Sequence, residues 1–270
     1  MKNKRALRFS RKYLTIPYGI FMFIFIVVPL VIVVMYAFCV TKDDGSLTFQ
    51  FTLENFKTIF SGSNGAMLAN SLYVGLITTA LCLLIGYPIA YMLNNTTYNK
   101  SRIMVLLFML PMWINFLLRT LATQAIFQAL AIKMGMGTVI FGMVYNYLPF
   151  MIMPIYTTIQ KIDKTFLEGA QDLGASPRAA FWKITMPLSM PGVLSGITMV
   201  FMPTITTFAI SGLLSNNTIG LVGDYIYSQI SKSFNIASAM SFVILIIIGI
   251  SMMIVNKYDK DSNSSGGGLW

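Results

Sequence analysis

Six apolar stretches, each long enough to cross a bilayer as a helix, constrain this chain more than any other feature. They lie at about residues 17–40, 68–93, 103–128, 138–160, 191–214 and 237–256. The hydrocarbon core has no water to satisfy backbone polar groups, so a span needs roughly 20 apolar residues in a helix. Only 10% of the residues are charged, whereas a soluble domain has about 25%. The sequence therefore predicts an all-α membrane protein with about six transmembrane helices.

The first twelve residues carry six cations and precede the first apolar stretch. A basic flank of this kind is also typical of a signal peptide. However, the stretch 17–40 is longer than the roughly 7–15 residues of a signal-peptide core, and no small-residue cleavage site follows it. We therefore interpret 17–40 as a retained first span.

The distribution of Lys and Arg predicts how the spans are oriented. With the N-terminus in the cytoplasm, the inside segments hold fourteen of the nineteen cations and the outside segments hold four. Cytoplasmic loops carry such an excess, so both termini are predicted to be cytoplasmic. Most of the positive charge then lies in cytoplasmic segments next to the lipid bilayer. The net charge of +10 is thereby explained without a bound nucleic acid. The predicted domains are a basic N-terminal segment (1–16), a six-helix transmembrane domain (17–256) and a flexible tail (257–270).

Residue usage excludes several kinds of chemistry. Histidine is absent, and Cys39 and Cys82 lie in apolar stretches without a metal-binding spacing, so no metal site is predicted. The spans hold no carboxylate pair, which disfavours a membrane-embedded enzyme. No G-x-x-x-x-G-K-[ST] sequence occurs, so a mechanism that uses ATP needs a separate chain to hydrolyse it.

The longest predicted inside segment, 161–190, has the pattern of two short helices joined at a glycine. A T-x-x-E capping box at Thr165 predicts the first helix start, and Gly174 suits the left-handed position after a helix end. Ser176 and Pro177 then provide an N-cap and a first helical residue. Such an element suits docking of a partner, although a loop that lies on lipid headgroups fits the pattern as well.

The same segment carries a motif that resembles the EAA loop of bacterial ABC importer permeases. That pattern is E-A-A, three residues, G, nine residues, I-x-L-P, and its spacing is matched by Glu168, Gly169, Ala170, Gly174, Ile184 and Pro187. Two positions depart from it, because Gly169 replaces an alanine and Met186 replaces a leucine. The resemblance implies a type I ABC importer permease fold in a bacterial plasma membrane.

The resemblance also implies how such a chain works. The loop at 165–187 would act as a coupling helix on an ABC ATPase dimer, through Glu168, Gly169, Ala170, Asp172, Gly174, Ala175, Ser176 and Pro177. ATP and Mg would be bound by that ATPase, with no cofactor in this chain. A second, non-identical permease subunit would complete the pathway, and an extracytoplasmic binding protein would deliver the solute for alternating access.

Two further segments resemble permeases of spermidine/putrescine importers. Residues 110–122, LPMWINFLLRTLA, match their P-x-W-x-x-F-L-x-R-T segment at Pro111, Trp113, Phe116, Leu117, Arg119 and Thr120. Residues 51–60, FTLENFKTIF, resemble the segment before the second span of the B-type membrane subunit. These resemblances imply polyamine transport.

A polycation that crosses lipid needs carboxylates or aromatic faces in place of water. We therefore expect the path or its gate to include Trp113, Phe116, Arg119, Tyr145, Asp224 and Tyr225. Alternative interpretations remain open: Asp224 as a solvated loop carboxylate, the aromatic residues as an interfacial belt, and Arg119 as a brace of the fold.

Two other functions also fit the sequence. One is the permease of an importer for another small solute, such as an anion or iron, which Arg119 favours slightly. The other is a stand-alone secondary transporter or channel. Such transporters often contain inverted repeats, and none is visible here.

Overall fold

The computed structural model describes residues 11–41, 47–48, 50–95 and 103–266. Two-residue strands β1 (Val40–Thr41) and β2 (Leu47–Thr48) form a short antiparallel ribbon; the other elements are helical. Single π-turns at Phe23–Val27 and Phe181–Thr185 interrupt the helices. The α-helices are α1 (Arg11–Met22), α2 (Val28–Ala37), α3 (Glu54–Phe60), α4 (Gly62–Asn94), α5 (Ile103–Trp113), α6 (Phe116–Ala129), α7 (Met136–Lys161), α8 (Lys164–Asp172), α9 (Pro177–Ala180), α10 (Met186–Leu188), α11 (Met190–Thr206), α12 (Ala209–Ser215), α13 (Val222–Gln229) and α14 (Phe234–Gly266).

Four of the predicted spans are helices of membrane-crossing length and hydropathy. They are Pro17–Ala37, Gly62–Asn94, Met136–Lys161 and Phe234–Val255. In the first of these, 6% of the most apolar window is buried within the chain, so nearly all of its apolar side chains face outward. Within the described ranges the chain thus has four such spans, or up to six if each of two bent helix pairs counts as one.

The third predicted span, 103–128, is not one straight helix. Helices α5 and α6 meet at an angle of 91° across Ile114 and Asn115. Asn115 has non-helical backbone angles, and its side-chain oxygen accepts a hydrogen bond from the Leu117 N–H at 2.8 Å. The break follows from this capping, because an Asn side chain in that position starts a new helix.

The fifth predicted span, 191–214, is also divided. Helix α11 ends at Thr206, Thr207 has an extended backbone, and α12 begins at Ala209. At its other end, α11 meets the Pro177–Leu188 helix at 60°. The buried Ser189 lies at that bend, and its hydroxyl donates to the Met186 carbonyl at 2.9 Å.

Helix α14 continues through Gly266, so residues 257–266 are helical where we predicted a flexible tail. This stretch has no proline before Gly266, and it extends a helix that is already formed in the sixth span, which avoids a new nucleation step. Residues 267–270 lie outside the described residues, as do residues 1–10 of the predicted basic segment.

Three helices, α4, α7 and α11, form the central packing unit. Their contact contains fully or almost fully buried apolar residues, among them Cys82, Met151, Ile152, Ile155 and Val200. A second cluster joins α2, α3, α13 and α14 to the end of α11 around Ile59, Ile205 and Met240. A third packs α12 against α7 through Leu214 and Met143.

The end of the first span is tied to the rest of the chain by two asparagines. The Asn55 amide donates to the carbonyls of Ala37 and Cys39, each at 3.0 Å. The Asn235 amide donates to the Cys39 carbonyl at 2.8 Å. Carbonyls at a helix end lack partners within the helix, so these amides anchor an otherwise exposed span to α3 and α14.

Candidate functional site

A cavity of about 640 Å³ lies where α6, α7 and the break after α11 meet. We call it the Arg119 cavity. It is lined mainly by aromatic and small polar side chains around one cation: Trp113, Asn115, Phe116, Arg119, Asn146, Tyr147, Phe150, Thr207 and Phe208. The bend between α5 and α6 brings Trp113 and Phe116 to the same cavity.

Arg119 is 7% exposed, although its guanidinium carries a full charge. Its Nε and Nη1 atoms are buried without a hydrogen-bond partner among the described residues. The guanidinium carbon lies 5.8 Å from the centroid of the Tyr145 ring, a cation–π contact worth about 2 kcal/mol when desolvated. Burial of an ion costs several kcal/mol, so this contact offsets only part of the cost.

A second cavity, of about 700 Å³, lies between α6, α12 and α13. We call it the Asp224 cavity. Its polar and aromatic lining comprises Gln124, Phe208, Asn216, Asn217, Asp224, Tyr225, Tyr227 and Ser228. It therefore combines one carboxylate with aromatic faces and neutral polar groups, which is the chemistry that recognises an organic cation.

The Asp224 carboxylate is held in a fixed position. Its Oδ2 atom accepts hydrogen bonds from the Ser211 hydroxyl at 2.5 Å and from the Leu221 N–H at 3.0 Å. The side chain is half-buried, and this burial raises the pKa of Asp224 above its ordinary value, while the two hydrogen bonds oppose the increase. Asp224 is thus an ordered, partly desolvated carboxylate, contrary to the solvated alternative that the sequence left open.

Phe208 lies between the two cavities and lines both of them. Its ring stacks on Tyr227 with centroids 5.2 Å apart and an interplanar angle of 5°. Phe208 follows the extended Thr207 in the break between α11 and α12. Because it sits in a helix break, its position depends directly on the geometry of α11.

The loop at 161–190 has the predicted two-helix form, with one correction. The first helix, α8, begins at Lys164, and its N-cap is Asp163, whose carboxylate accepts from the Thr165 N–H at 3.0 Å. Thr165 is therefore not the N-cap, because an Asp two residues earlier already binds the free amide. The hydrogen bonds to Thr165 lower the pKa of Asp163.

The joint of this loop is confirmed as predicted. Gly174 has φ +84°, the left-handed conformation that favours glycine. The Ser176 hydroxyl then accepts from the Ala179 N–H at 3.3 Å, and Pro177 is the first residue of α9. Glycine is favoured at the joint because most other residues have a steric penalty there.

One surface of this loop has no cover within the described chain. Leu173 is 91% exposed and Phe166 is 57% exposed. Most of the predicted coupling residues are exposed too: Glu168, Gly169, Asp172, Gly174, Ser176 and Pro177, with Ala170 and Ala175 half-buried. Apolar side chains so exposed on a charged, projecting element are typical of a docking surface.

The second half of the loop is joined to span α4. The Tyr87 hydroxyl lies 2.8 Å from the Ser189 hydroxyl in a hydrogen bond. Phe181 packs edge-on against Tyr87 and Tyr91, with centroids 5.9 and 5.0 Å away. These contacts connect the loop to α4 as well as to α11.

The structure separates the predicted path residues into two groups. Trp113, Phe116 and Arg119 line one cavity, and Asp224 and Tyr225 line the other. Tyr145 lines neither cavity and instead contacts Arg119. Tyr225 is 9% exposed and also belongs to the buried cluster of α13 and α14. Their roles in transport stay predictions.

The sequence interpretation missed several residues of the two cavities. Asn146 is 1% exposed, and its amide donates to the Gly142 carbonyl at 2.8 Å while its Oδ1 has no partner among the described residues. An amide inside an apolar span was a usable signal. Phe208 and Ser211 gave no such signal, because their positions depend on the helix break. No cluster of three potential metal ligands occurs among the described residues.

A mainly helical membrane fold with an exposed two-helix loop is the arrangement expected of a membrane transport subunit of the importer-permease class. Residues 82–258 match the family described as "Binding-protein-dependent transport system inner membrane component". The match covers more than half of the chain, and the chain belongs to this family. It is thus a multi-pass plasma-membrane permease subunit of an ABC importer, in a family that works with ATPases and a binding protein.

Curated relatives cover most of the chain. It is 31% identical over 255 residues to the spermidine/putrescine transport system permease protein PotB of Haemophilus influenzae. This alignment covers 87% of this chain and 89% of that protein. The PotB protein of Escherichia coli is 31% identical, and the alignment covers 86% of this chain and 91% of that protein. The PotB homolog of Mycoplasma genitalium is 25% identical and covers 84% and 83%.

Solved structures agree in fold. A bacterial ABC transporter involved in the import of the acidic polysaccharide alginate superposes with a TM-score of 0.69 at 16% identity, over 92% of this chain and 95% of that one. The inward-facing MetNI methionine ABC transporter gives 0.61 at 15% identity, over 73% and 94%. These TM-scores support the importer-permease fold.

Proposed function

We propose that this chain is a permease subunit of an importer for spermidine and putrescine. The observation that carries the proposal is the Asp224 cavity, in which one ordered carboxylate faces aromatic rings. The names of the relatives at 31% identity support the same substrate class. A polyamine ammonium group would pair with Asp224 and lie against Tyr225, Tyr227 or Phe208.

The proposed polyamine site offers few charged contacts. Among the residues that line the two cavities, Asp224 supplies the negative charge and Arg119 supplies a positive one. A polycation with several ammonium groups needs more carboxylates than this chain presents. The chain would therefore form half of a low-affinity path, and a second, non-identical permease subunit and an extracytoplasmic polyamine-binding protein would supply the remaining specificity.

The loop at 165–187 is proposed to couple this chain to the ATPase dimer, which binds ATP and Mg. Its exposed Leu173 and Phe166 would fit a groove on the ATPase, with Glu168, Gly169, Ala170, Asp172, Gly174, Ala175, Ser176 and Pro177 around them. The loop lies in the cytoplasm in this proposal, together with both termini. ATP-driven closure of the dimer would then move α4 through Tyr87 and α11 through Ser189.

A second candidate function is the import of a small anion. The buried, unpaired guanidinium of Arg119 in a cavity favours it, because such a group binds carboxylate or phosphate strongly. The two candidates differ in which cavity holds the solute, and therefore in which residue controls uptake.

The test is uptake in cells that lack this chain, with and without the chain restored. Labelled spermidine and putrescine are compared with a labelled small dicarboxylate. We expect restoration of polyamine uptake, its weakening in Asp224→Asn, and no uptake of the dicarboxylate. Restored uptake of the dicarboxylate alone would contradict the proposal and favour the anion importer.

A further inference from the structure

Arg119 is the most deeply buried charged side chain of the two cavities, and it lacks a counter-ion within them. It is 7% exposed, and its Nε and Nη1 atoms have no acceptor among the described residues. Removal of a guanidinium from water without a partner is strongly unfavourable. A side chain in this state is expected to have a partner in the assembled protein.

The surroundings within this chain do not provide that partner. The Tyr145 ring, 5.8 Å away, offers only a cation–π contact. The carboxylate of the neighbouring cavity, Asp224, is already bound by Ser211 and by the Leu221 N–H. Asn146, which lines the same cavity as Arg119, also has an unsatisfied Oδ1 atom. The Arg119 cavity therefore contains an unpaired donor group and an unpaired acceptor.

The rim of this cavity is exposed and apolar. Trp113 is 83% exposed and Ile114 is 52% exposed, and both line the Arg119 cavity. Lipid chains could cover this rim but carry no acceptor for a guanidinium. A protein surface could cover the rim and supply an acceptor at the same time.

We propose that Arg119 binds a carboxylate of the second permease subunit, which enters the Arg119 cavity and forms an ion pair with the guanidinium. The ionised carboxylate of an Asp or Glu provides two acceptors in the geometry that a guanidinium fork requires. A separate donor of the same subunit, beside that carboxylate, would bind the Asn146 Oδ1. The inference rests on the proposed function, because it requires a second permease subunit beside this chain.

A polyamine cannot take this place, because its ammonium groups would be repelled by Arg119. The two cavities then have different tasks: the Asp224 cavity meets the solute, and the Arg119 cavity meets the partner subunit. Phe208 lines both cavities and would form the contact between the solute site and the subunit interface. The ion pair would thus fix the registry between the two permease subunits beside the path.

Carbodiimide cross-linking tests this ion pair in the full importer complex. The reagent joins a lysine amine to a neighbouring carboxylate with loss of water, and it does not join arginine. The complex is purified with Arg119→Lys and treated in two samples, one without any solute and one with an added labelled dicarboxylate, and both are analysed by mass spectrometry. The control is Leu118→Lys, one position along α6, where the side chain is 62% exposed and does not line the cavity.

We expect Arg119→Lys to form an amide bond with an Asp or Glu of the second permease subunit, and Leu118→Lys to form none with that residue. We also expect Arg119→Gln to lower the yield of the two-permease complex more than about tenfold, because it leaves the partner carboxylate unpaired. Leu118→Gln should leave the yield within about twofold, as surface changes usually do.

Three results would overturn the inference. They are a cross-link from Arg119→Lys to an acid of this chain, no cross-link above the Leu118→Lys level in a complex that transports normally, and a cross-link to an added labelled dicarboxylate in place of the subunit. If the unmodified chain purifies without a second permease, the proposed function fails as well. Failure of the inference alone is recognised by an intact, polyamine-transporting complex.

Discussion

Ser211 and Asp224 are joined by a hydrogen bond in which the Ser211 hydroxyl donates to Oδ2 of the carboxylate. Ser211 lies on α12 and Asp224 on α13, so the bond fixes the two helices that form one wall of the Asp224 cavity. Both hydrogen bonds described for the carboxylate fall on Oδ2. The bond orients the one acidic group among the residues that line the two described cavities.

Replacement of Asp224 by asparagine should weaken polyamine uptake selectively. Asparagine keeps the size of the side chain and an acceptor for Ser211, but it removes the charge that pairs with an ammonium group. A hydrogen bond to a charged group contributes about 1.5–3 kcal/mol, so the half-saturating polyamine concentration should rise about tenfold or more. Glu54→Gln, at an exposed carboxylate on α3, is the matched control. Equal concentration curves for Asp224→Asn and wild type would remove Asp224 from the site.

The same carboxylate should make uptake dependent on pH. Burial raises the pKa of Asp224, so as the pH falls this carboxylate is protonated before an ordinary aspartate. The neutral acid no longer attracts an ammonium group, and uptake should decline at a pH at which exposed aspartates remain ionised. The measurement is initial uptake rate across mildly acidic pH values. Asp224→Asn should lack this decline, and an identical pH profile in both proteins would contradict the assignment.

Gly174→Val should uncouple transport from ATP hydrolysis. A Cβ atom added at this position meets nothing within 4 Å, so the effect comes from the left-handed backbone, where a β-branched residue is strained by roughly 1 kcal/mol or more. Gly174→Asn is the control, since asparagine tolerates this conformation. We expect the valine variant to reach the membrane and lose uptake, while the asparagine variant keeps it. Normal uptake with valine would disprove the coupling role of this turn.

Gly223→Ala should destabilise the contact between α13 and the break after α11. A Cβ atom there would lie 2.6 Å from the Thr206 carbonyl oxygen and still closer to that of Thr207. Both obstacles are backbone atoms, so the helices must separate at a cost of about 1–3 kcal/mol. The melting temperature of the purified chain in detergent measures this cost. Gly137→Ala, whose Cβ meets nothing within 4 Å, should melt like wild type, and an unchanged melting temperature in Gly223→Ala would refute the expected clash.

The proposed orientation predicts which positions an impermeant thiol reagent reaches. Cys39 and Cys82 are buried, so the background from native thiols should be low. In intact cells we expect Lys133→Cys to react, whereas Leu173→Cys should react only after permeabilisation. Both side chains are exposed in the structure, so accessibility within the chain does not decide the result. The opposite pattern would place the loop outside and reverse the topology.

Continuous spans were predictable from the sequence because a bilayer imposes a length on every apolar helix. The windows at 138–160 and 237–256, for example, correspond closely to α7 and the apolar part of α14. The two helix breaks were not found, since mean hydropathy over a window does not detect a change in backbone direction. Asn115 carried a usable signal as an N-cap residue, whereas the extended Thr207 did not.

In the loop at 161–190, too, only some features could be predicted from the sequence. Gly174 and Ser176 were predictable because each provides a backbone or capping property that few residues share. The start of α8 was misassigned to Thr165, because Asp163 and Thr165 are both good N-cap residues and sequence alone does not rank them. The two cavities were not predictable, since they arise where the breaks bring distant helices together.

Reconstitution into proteoliposomes tests the central claim most directly. Uptake of labelled spermidine is measured with this chain alone, and with the second permease, the ATPase and the binding protein added. We expect no uptake by the chain alone, and uptake by the full assembly that requires both ATP and the binding protein. ATP-independent uptake by the chain alone would contradict the account and establish a stand-alone transporter.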